Sequence, residues 1–486
     1  MKMLKAYFII ALLFSMLAVA VLFGTGEAST DVIGIISSDI TWTKTSSPYI
    51  LSGLVTIGNG VTLTIEAGVT VNLNGYNLDV EGILFAKGTN NDKITFNGGS
   101  QSTGLTIKDS SIISDSIFNG KITVVGTSKI SNCNINGRID VVDASPIISN
   151  NKITGVVAPD STIIDDYIAG KFSAGNAPTD EATTGIVLRG SNNEVSIIGN
   201  TISECSAGIK VATEGRVLIR GNQISNNTVN GIEILCPTNL TIEGNLISNN
   251  TMNQIVAKVG TQSKAILTIR NNTIVNGPRS MITGIQQSIY GINLEGEQNS
   301  NTAYISHNVI SGCEVAIGPA TGTIERNLVT NNNDGVDVGL QAIIRNNTIV
   351  NNNRGIGGPS SSTTIIYNNI VNSSATGSIW MTNPEDVNAT YNWWGTTDSQ
   401  VISQGIRLHP FYPNSVTFVP FLTEPNPHAM PDSNAPSHIS ESSPSPTFTP
   451  YNEPQQKEQE VIIEAIITAI VIGAGLGLLI YLIKRK

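Results

Sequence analysis

Between residues 105 and 395 one or two apolar residues recur in short segments such as "TIS", "QIS", "LIS" and "TIV", each set between polar residues and usually preceded by asparagine. The unit Asn-x-Ile/Val recurs at Asn200, Asn222, Asn245, Asn272, Asn308, Asn327, Asn347 and Asn368, and more loosely at Asn392. Successive separations are 22, 23, 27, 36, 19, 20, 21 and 24 residues. Upstream the unit tightens to about 18 residues in "IISDSI", "KISNCNI" and "IISNNKI", which places Asp115, Cys133 and Asn151 in the same slot. Several units carry a further Gly-Ile or Gly-Val step, at Gly208-Ile209, Gly231-Ile232, Gly335-Val336 and Gly355-Ile356.

Short β-branched runs at a period near 20, with Gly and Asn between them and no helical spacing of apolar residues, predict one coil of a parallel β-solenoid per repeat. Each strand then pairs with its counterpart one coil on, so equivalent residues stack in columns about 4.8 Å apart. Asn151, Asn200, Asn222, Asn245, Asn272, Asn308, Asn327, Asn347, Asn368 and Asn392 are expected to form a structural ladder: asparagine tolerates the left-handed conformation of a turn, and its amide both donates and accepts. The long separations read as loops, at 158–185 and 277–301, leaving an otherwise constant coil.

Both ends change character. Two lysines, the apolar run "AYFIIALLFSMLAVAVLF" and small residues at Gly26 and Ala28 read as a signal peptide over 1–28. Ala465 to Ile483 is 19 residues without a charge, followed by "KRK". That suffices to cross a bilayer and sets the C-terminus on the cytoplasmic side. The expected organisation is therefore a signal peptide at 1–28, an N-terminal cap and first coils at 29–104, repeats at 105–395 and a C-terminal cap segment at 396–423. A disordered Pro/Ser-rich stalk follows at 424–460, then a transmembrane helix at 461–483 and a tail at 484–486. Within the span, Gly473 and Gly477 form a small-xxx-small face suited to helix pairing. The expected placement is the cell membrane, single-pass, with the body outside.

The repeats resemble those of right-handed parallel β-helix proteins, the pectin-lyase-like superfamily. The opening "SSDITWTKTSSPYILSGLVTIGNGVTLTIEAGVTVNL" resembles the lead-in of secreted bacterial and archaeal members, and "ATYNWWGTTDSQVISQGI" resembles their terminal coil. The resemblance covers about residues 38 to 422 and implies an all-β, single-stranded right-handed parallel β-helix, here with one C-terminal transmembrane α-helix. It does not imply one activity, because lyases, hydrolases, esterases, adhesins and structural proteins share this fold. Large apolar side chains at its ends, Trp42, Tyr49, Trp393 and Trp394, are read as caps over unpaired strand edges. Carbohydrate stacking by Trp393 or Trp394 is the alternative.

Charge and reactive residues narrow the chemistry. A net charge of −10 and the lack of any basic stripe exclude nucleic acid as a partner. The resemblance implies that an enzyme of this fold would use a calcium-binding acidic cluster with a basic proton abstractor, or a set of aspartates, or glycine-flanked His with Arg-Ile-Lys; none of these patterns occurs, and no catalytic residue is assigned. His307 is the one histidine within the repeats. The solenoid is also similar to a periplasmic copper-maturation family, but copper wants His, Met or thiolate ligands, which one histidine and no Met-rich tract do not supply.

The best carboxylate group, Asp160, Asp165, Asp166, Asp180 and Glu181, lies in the excursion between Asn151 and Asn200. It is a weak calcium candidate against the plainer reading of a solvated acidic loop. Asp334 and Asp337 in "NNDGVDVG" read as turn residues. Cys133, Cys205, Cys236 and Cys313 are expected as free thiols, since Cys205 and Cys313 share a slot but stand about 19 Å apart by strand spacing. Seven Asn-x-Ser/Thr triplets permit glycosylation on a secreted chain. The leading expectation is a non-enzymatic cell-surface protein that binds glycan or envelope, or serves adhesion. The alternative is an extracellular polysaccharide lyase or glycoside hydrolase with an unrecognised acidic site.

Overall fold

A single coil shows how the sequence builds the molecule. In a computed structural model, Ala207–Thr213, Arg216–Arg220 and Gln223–Ser225 form three strands, and the next 23 or so residues repeat them as Asn230–Ile234, Asn239–Glu243 and Leu246–Ser248. Counterparts pair in parallel, with Ile209 on Ile232, Val217 on Leu240 and Ile224 on Ile247. Repetition generates three parallel sheets around one core. The structure describes residues 29–100, 103–155, 183–190, 194–236, 239–258, 266–277, 289–295, 302–371, 377–411 and 415–431.

Sheet I, which holds Ala207–Thr213, runs from Gly34–Ile36 to Ile406–Arg407; sheet II, with Arg216–Arg220, from Ile40–Trp42 to Val416–Thr417; sheet III, with Gln223–Ser225, from Thr30–Val32 to Asn369–Val371. Inward positions are mostly Ile and Val, as a parallel sheet covered on its inner face favours. Ile202, Ile224, Ile247, Ile274, Ile310, Val329, Ile349 and Ile370 form one unbroken buried column of sheet III. Excursions do not disturb register: Lys152 pairs with Thr201 although 49 residues separate Asn151 from Asn200, whose amides are bonded at 3.0 Å.

The asparagine ladder is present from Asn151 to Asn392. From Asn200 on, each Oδ1 accepts from the backbone N–H and the Nδ2 of the rung before, and each Nδ2 in the ladder also donates to an isoleucine carbonyl of the coil before. Asn222 shows the pattern: it donates to Asn245 Oδ1 at 3.0 Å and Ile197 O at 2.9 Å, and accepts from Asn200 Nδ2 at 3.0 Å. Every polar atom of these buried amides is thereby satisfied, which removes the cost of burying them.

Two details differ from expectation. The ladder residues are not the left-handed ones. The residue just before each rung is: Asp115, Asn132, Asn150, Gly199, Gly221, Gly244, Asn271, His307, Arg326, Asn346, Tyr367 and Tyr391 all have φ between 50° and 66°. The rung therefore turns inward because its predecessor makes the corner. Asp115 belongs to this corner column and not to the ladder; the pairing of Ile117 with Asn134 puts Ser116 opposite Cys133. A left-handed corner costs an L-residue about 1–2 kcal/mol, with Gly exempt and Asn or Asp partly so, so the first seven corners carry only those three.

Five residues after the first ladder runs a second. Asn227 donates to Asn250 Oδ1 at 2.8 Å, and Asn332 to Asn352 Oδ1 at 3.0 Å. Its corners, Glu204, Asn226, Asn249, Asn276, Gly312, Asn331 and Asn351, are again left-handed. The Gly-Ile step packs against it: a Cβ at Gly231 would lie 2.5 Å from Gln254 O and 2.8 Å from Asn250 Nδ2.

Aromatic side chains pack together in the coils near both ends. Trp42 is buried and stacked on Tyr49, centroids 4.7 Å apart, inside the first coils. At the other end Trp394 is buried against the edge of Phe418, while Trp393, bridged to Asn369, is half-exposed on the outer row of sheet III. A short helix, Ser399–Gln404, is capped by Asp398, whose carboxylate accepts from Gln400 N.

The first residues expected in the stalk, 424–431, are docked on the solenoid. Residues 424–431 lie against sheet III, where Asn426 N donates to Asn369 Oδ1 at 2.7 Å, and Thr348 Oγ1 donates to Ala429 O at 2.6 Å. Bonds to outward amides of the solenoid, which composition does not reveal, hold this segment. Among the described residues no helix is long and apolar enough to cross a membrane; the expected signal peptide, the rest of the stalk and the span at 461–483 lie outside the described residues.

Candidate functional site

The acidic group Asp160, Asp165, Asp166, Asp180 and Glu181 lies outside the described residues. Among the described residues no three His, Cys, Asp or Glu side chains stand close enough to hold a metal ion. His307 forms a corner beside the ladder.

Asp334 and Asp337 are not on a turn. Both belong to the strand Asp334–Arg345, whose first half joins sheet I. Asp334 pairs with Arg354 one coil on through two charge-assisted hydrogen bonds. Asp337 pairs in register with Gly357, Gly357 with Trp380, and Trp380 with Arg407. Where Gly357 stands, the sheet surface is missing one side chain: a Cβ there would meet only Asp337 Oδ1, at 3.6 Å. On the opposite side of Asp337 the space is filled, since a Cβ at Gly318 would lie 2.8 Å from Asp337 Cβ and 3.2 Å from Tyr290 Cε1. The result is a notch between Asp337 and Trp380 with glycine as its floor.

The notch concentrates different chemistries. The Arg354 guanidinium reaches from Asp334 to the Trp380 ring, 4.3 Å from its centroid, and Arg407 lies 5.0 Å from the same ring. Burial, joined by the negative charge of Asp334, pushes the Asp337 carboxyl up to about 6, with Arg354 and the Val338 N–H only partly opposing it. Asp334 is also raised, burial outweighing its pairing with Arg354. One recess thus offers a carboxyl that changes charge near neutrality, a guanidinium and an indole. Nothing in the spacing of Asp337, Arg354, Trp380 and Arg407 along the chain announces this; the coil register brings them together.

A second concavity, of about 480 Å³, lies over the N-terminal coils. Its floor is the glycine column Gly99, Gly120 and Gly137, where a Cβ at Gly137 would come within 2.1 Å of Gly120 O. Its walls carry Lys121 and Arg138, which are in register, and an outward row of amides in which Asn136 Nδ2 donates to Asn119 Oδ1 at 2.7 Å. Arg138 and Arg189 flank the buried Asp140, at 2.9 and 3.4 Å. The signal for this cleft is present in the sequence as "FNGKI" and "INGRI", 17 residues apart, and reading for Asn-x-Ile alone passes over it.

A family model agrees on architecture. The model of the right-handed β-helix region family matches residues 139–304 and 184–339. Among solved structures, a crystal structure of pectate lyase Pel9A is similar at 12% identity and a TM-score of 0.36, covering 64% of this chain and 71% of that one. No curated protein sequence matches. The family match and the three parallel sheets together describe a right-handed parallel β-helix.

Proposed function

We propose that this protein is a non-enzymatic surface-displayed β-helix that binds a glycan of the envelope or of a neighbouring cell through the notch of Asp337, Gly357 and Trp380. In this reading residues 1–28 are the leader and residues 461–483 the anchor that holds the body outside the membrane. The observation that carries it is the notch itself. A sugar needs hydroxyl acceptors and donors next to an apolar surface, and Asp337, Arg354 and Trp380 supply these around a position with no side chain of its own. A lyase or hydrolase is the second reading, supported by one feature: a carboxyl near pH 6 is suited to general acid or base work.

One experiment tests both. Full-length protein is exposed to a panel of neutral and acidic polysaccharides, with binding and new chain ends scored separately. Binding without cleavage, weakened at least tenfold by Trp380→Ala, is expected. Cleavage abolished by Asp337→Asn would replace the binding reading with the enzymatic one.

A further inference from the structure

The corner column of the first ladder changes composition partway along the solenoid. From Asp115 to Asn271 it holds only Gly, Asn and Asp; from there on it reads His307, Arg326, Asn346, Tyr367 and Tyr391, all at φ between 53° and 58°. These five corners are consecutive, because their rungs Asn308, Asn327, Asn347, Asn368 and Asn392 are bonded one to the next. Strand spacing of about 4.8 Å makes them a ridge on the order of 19 Å long, parallel to the solenoid axis. Tyrosine is a poor choice for such a backbone, and aromatic left-handed residues are uncommon enough to require a reason. Tyr367 and Tyr391 are 42% and 45% exposed, with ring centroids 5.8 Å apart at 33°. Burial therefore does not account for them, and their single mutual stack does not offset two strained corners.

The ridge is also braced. Asn426 Nδ2 donates to Asn346 Oδ1 at 3.0 Å and to Tyr367 O at 2.6 Å, so the docked segment 424–431 fixes the backbone between the third and fourth corners. Among the described residues no carboxylate lies within ion-pair reach of Arg326, two corners before Tyr367.

We propose that this corner ridge is a second carbohydrate-binding surface, on which an extended polysaccharide lies along the solenoid axis. The C–H faces of two adjacent sugars rest on Tyr367 and Tyr391, and their hydroxyls meet Asn346 and Arg326. Stacking needs broad, rigid, exposed rings on neighbouring rungs, and this stretch of the corner column presents two of them, Tyr367 and Tyr391, on successive rungs. The inference rests on the glycan-binding reading but uses a different face from the notch.

The test is the double substitution Tyr367→Asn with Tyr391→Asn in the full-length protein, read by binding to immobilised xylan, β-glucan, hyaluronan and polygalacturonate. Asparagine already stands at the same corner as Asn132, Asn150, Asn271 and Asn346, so the thermal midpoint is expected to hold or rise while binding to at least one polymer falls tenfold or more. Trp380→Ala, which touches only the notch, should leave that portion of binding intact. Unchanged binding by the double variant overturns the ridge and leaves the notch reading standing. A wild-type protein that binds none of the four polymers overturns both.

Discussion

Gln254 Oε1 accepts the Nδ2 proton of Asn250 at 2.7 Å and its backbone N–H at 3.3 Å. Gln254 stands in the column otherwise held by Gly208 and Gly231, and the next position of the second ladder is Gly277, which has no side chain to offer. The glutamine folds back four residues to do what a rung of the following coil does elsewhere. Gln254→Ala is expected to strand two buried donors, each costing about 1–3 kcal/mol. Urea unfolding followed by circular dichroism would measure this; a loss below about 0.5 kcal/mol would mean that the ladder tolerates an open end.

Corner and rung are adjacent residues with opposite requirements, which a pair of substitutions can separate. Asn271 is left-handed and Asn272 is a rung that donates to Ile242 O at 2.9 Å and Asn308 Oδ1 at 3.0 Å, and accepts from Asn245 Nδ2 at 2.9 Å. Asn271→Gly is expected to change stability by less than about 0.5 kcal/mol, since Gly fills the same corner in neighbouring coils. Asn272→Ala should cost about 3 kcal/mol or more, because donors and acceptors on both sides lose their partner in a buried site. Reversed magnitudes would show that the corner is misassigned by one residue.

How far the sequence could be read follows from the same geometry. Asn347 is visible as a rung because rungs recur at a fixed offset from an inward Ile or Val, and it does sit between Asn327 and Asn368. Asp115 reads as a rung in the sequence but is a corner one residue off the ladder, because Asn occupies corner and rung alike, as at Asn271 and Asn272, and the two are told apart only by φ. Asn227 and Asn332 stand five residues after rungs, a spacing that the sequence repeats but that the Asn-x-Ile/Val unit does not contain. The notch was out of reach for a different reason. Its residues derive from three coils, with variable separations along the chain, and the juxtaposition of Asp337, Gly357 and Trp380 exists only once the register is known.

Cysteines open the ladders. Cys133 N donates to Asn151 Oδ1, Cys205 N to Asn227 Oδ1 and Cys313 N to Asn332 Oδ1, at 2.9, 3.1 and 2.9 Å. At Cys133 and Cys313 the coil before holds Ser116 or Gly277 and supplies no amide, so a thiol, with little need of strong partners, suits the first rung. Burial pushes the Cys133 thiol up to about 11 and the Cys205 thiol up to about 12, whereas Cys236 is half-exposed and only modestly raised, by burial and the charge of Glu214. Because the thiolate is the reactive form, maleimide at pH 8 should label Cys236 alone in the native protein and all four thiols in denaturant. Mass spectrometry of the labelled peptides decides; rapid native labelling of Cys205 would contradict a closed coil.

Asp337 should set an acid-side optimum for stability and a pH step in binding. Its carboxyl is held near 6 in the folded protein against an ordinary 3.8, so between those values the folded chain retains a proton that the unfolded chain has released. Stability must then fall as pH rises through that window, since it decreases wherever the native state binds more protons, and it levels off above about pH 6. Scaled by about 1.4 kcal/mol per unit and discounted for partial exposure, the penalty at pH 8 is on the order of 2 kcal/mol. Asn at this position cannot ionise. Asp337→Asn is therefore expected to raise the thermal midpoint at pH 8 while leaving it nearly unchanged at pH 4, and to flatten any change of glycan affinity between pH 5 and pH 7. Calorimetry of both proteins at the two pH values would show it. A variant equally stabilised at both would place the effect in packing around Gly318 and Tyr290, and an affinity profile still stepping near pH 6 would assign the titration to another group.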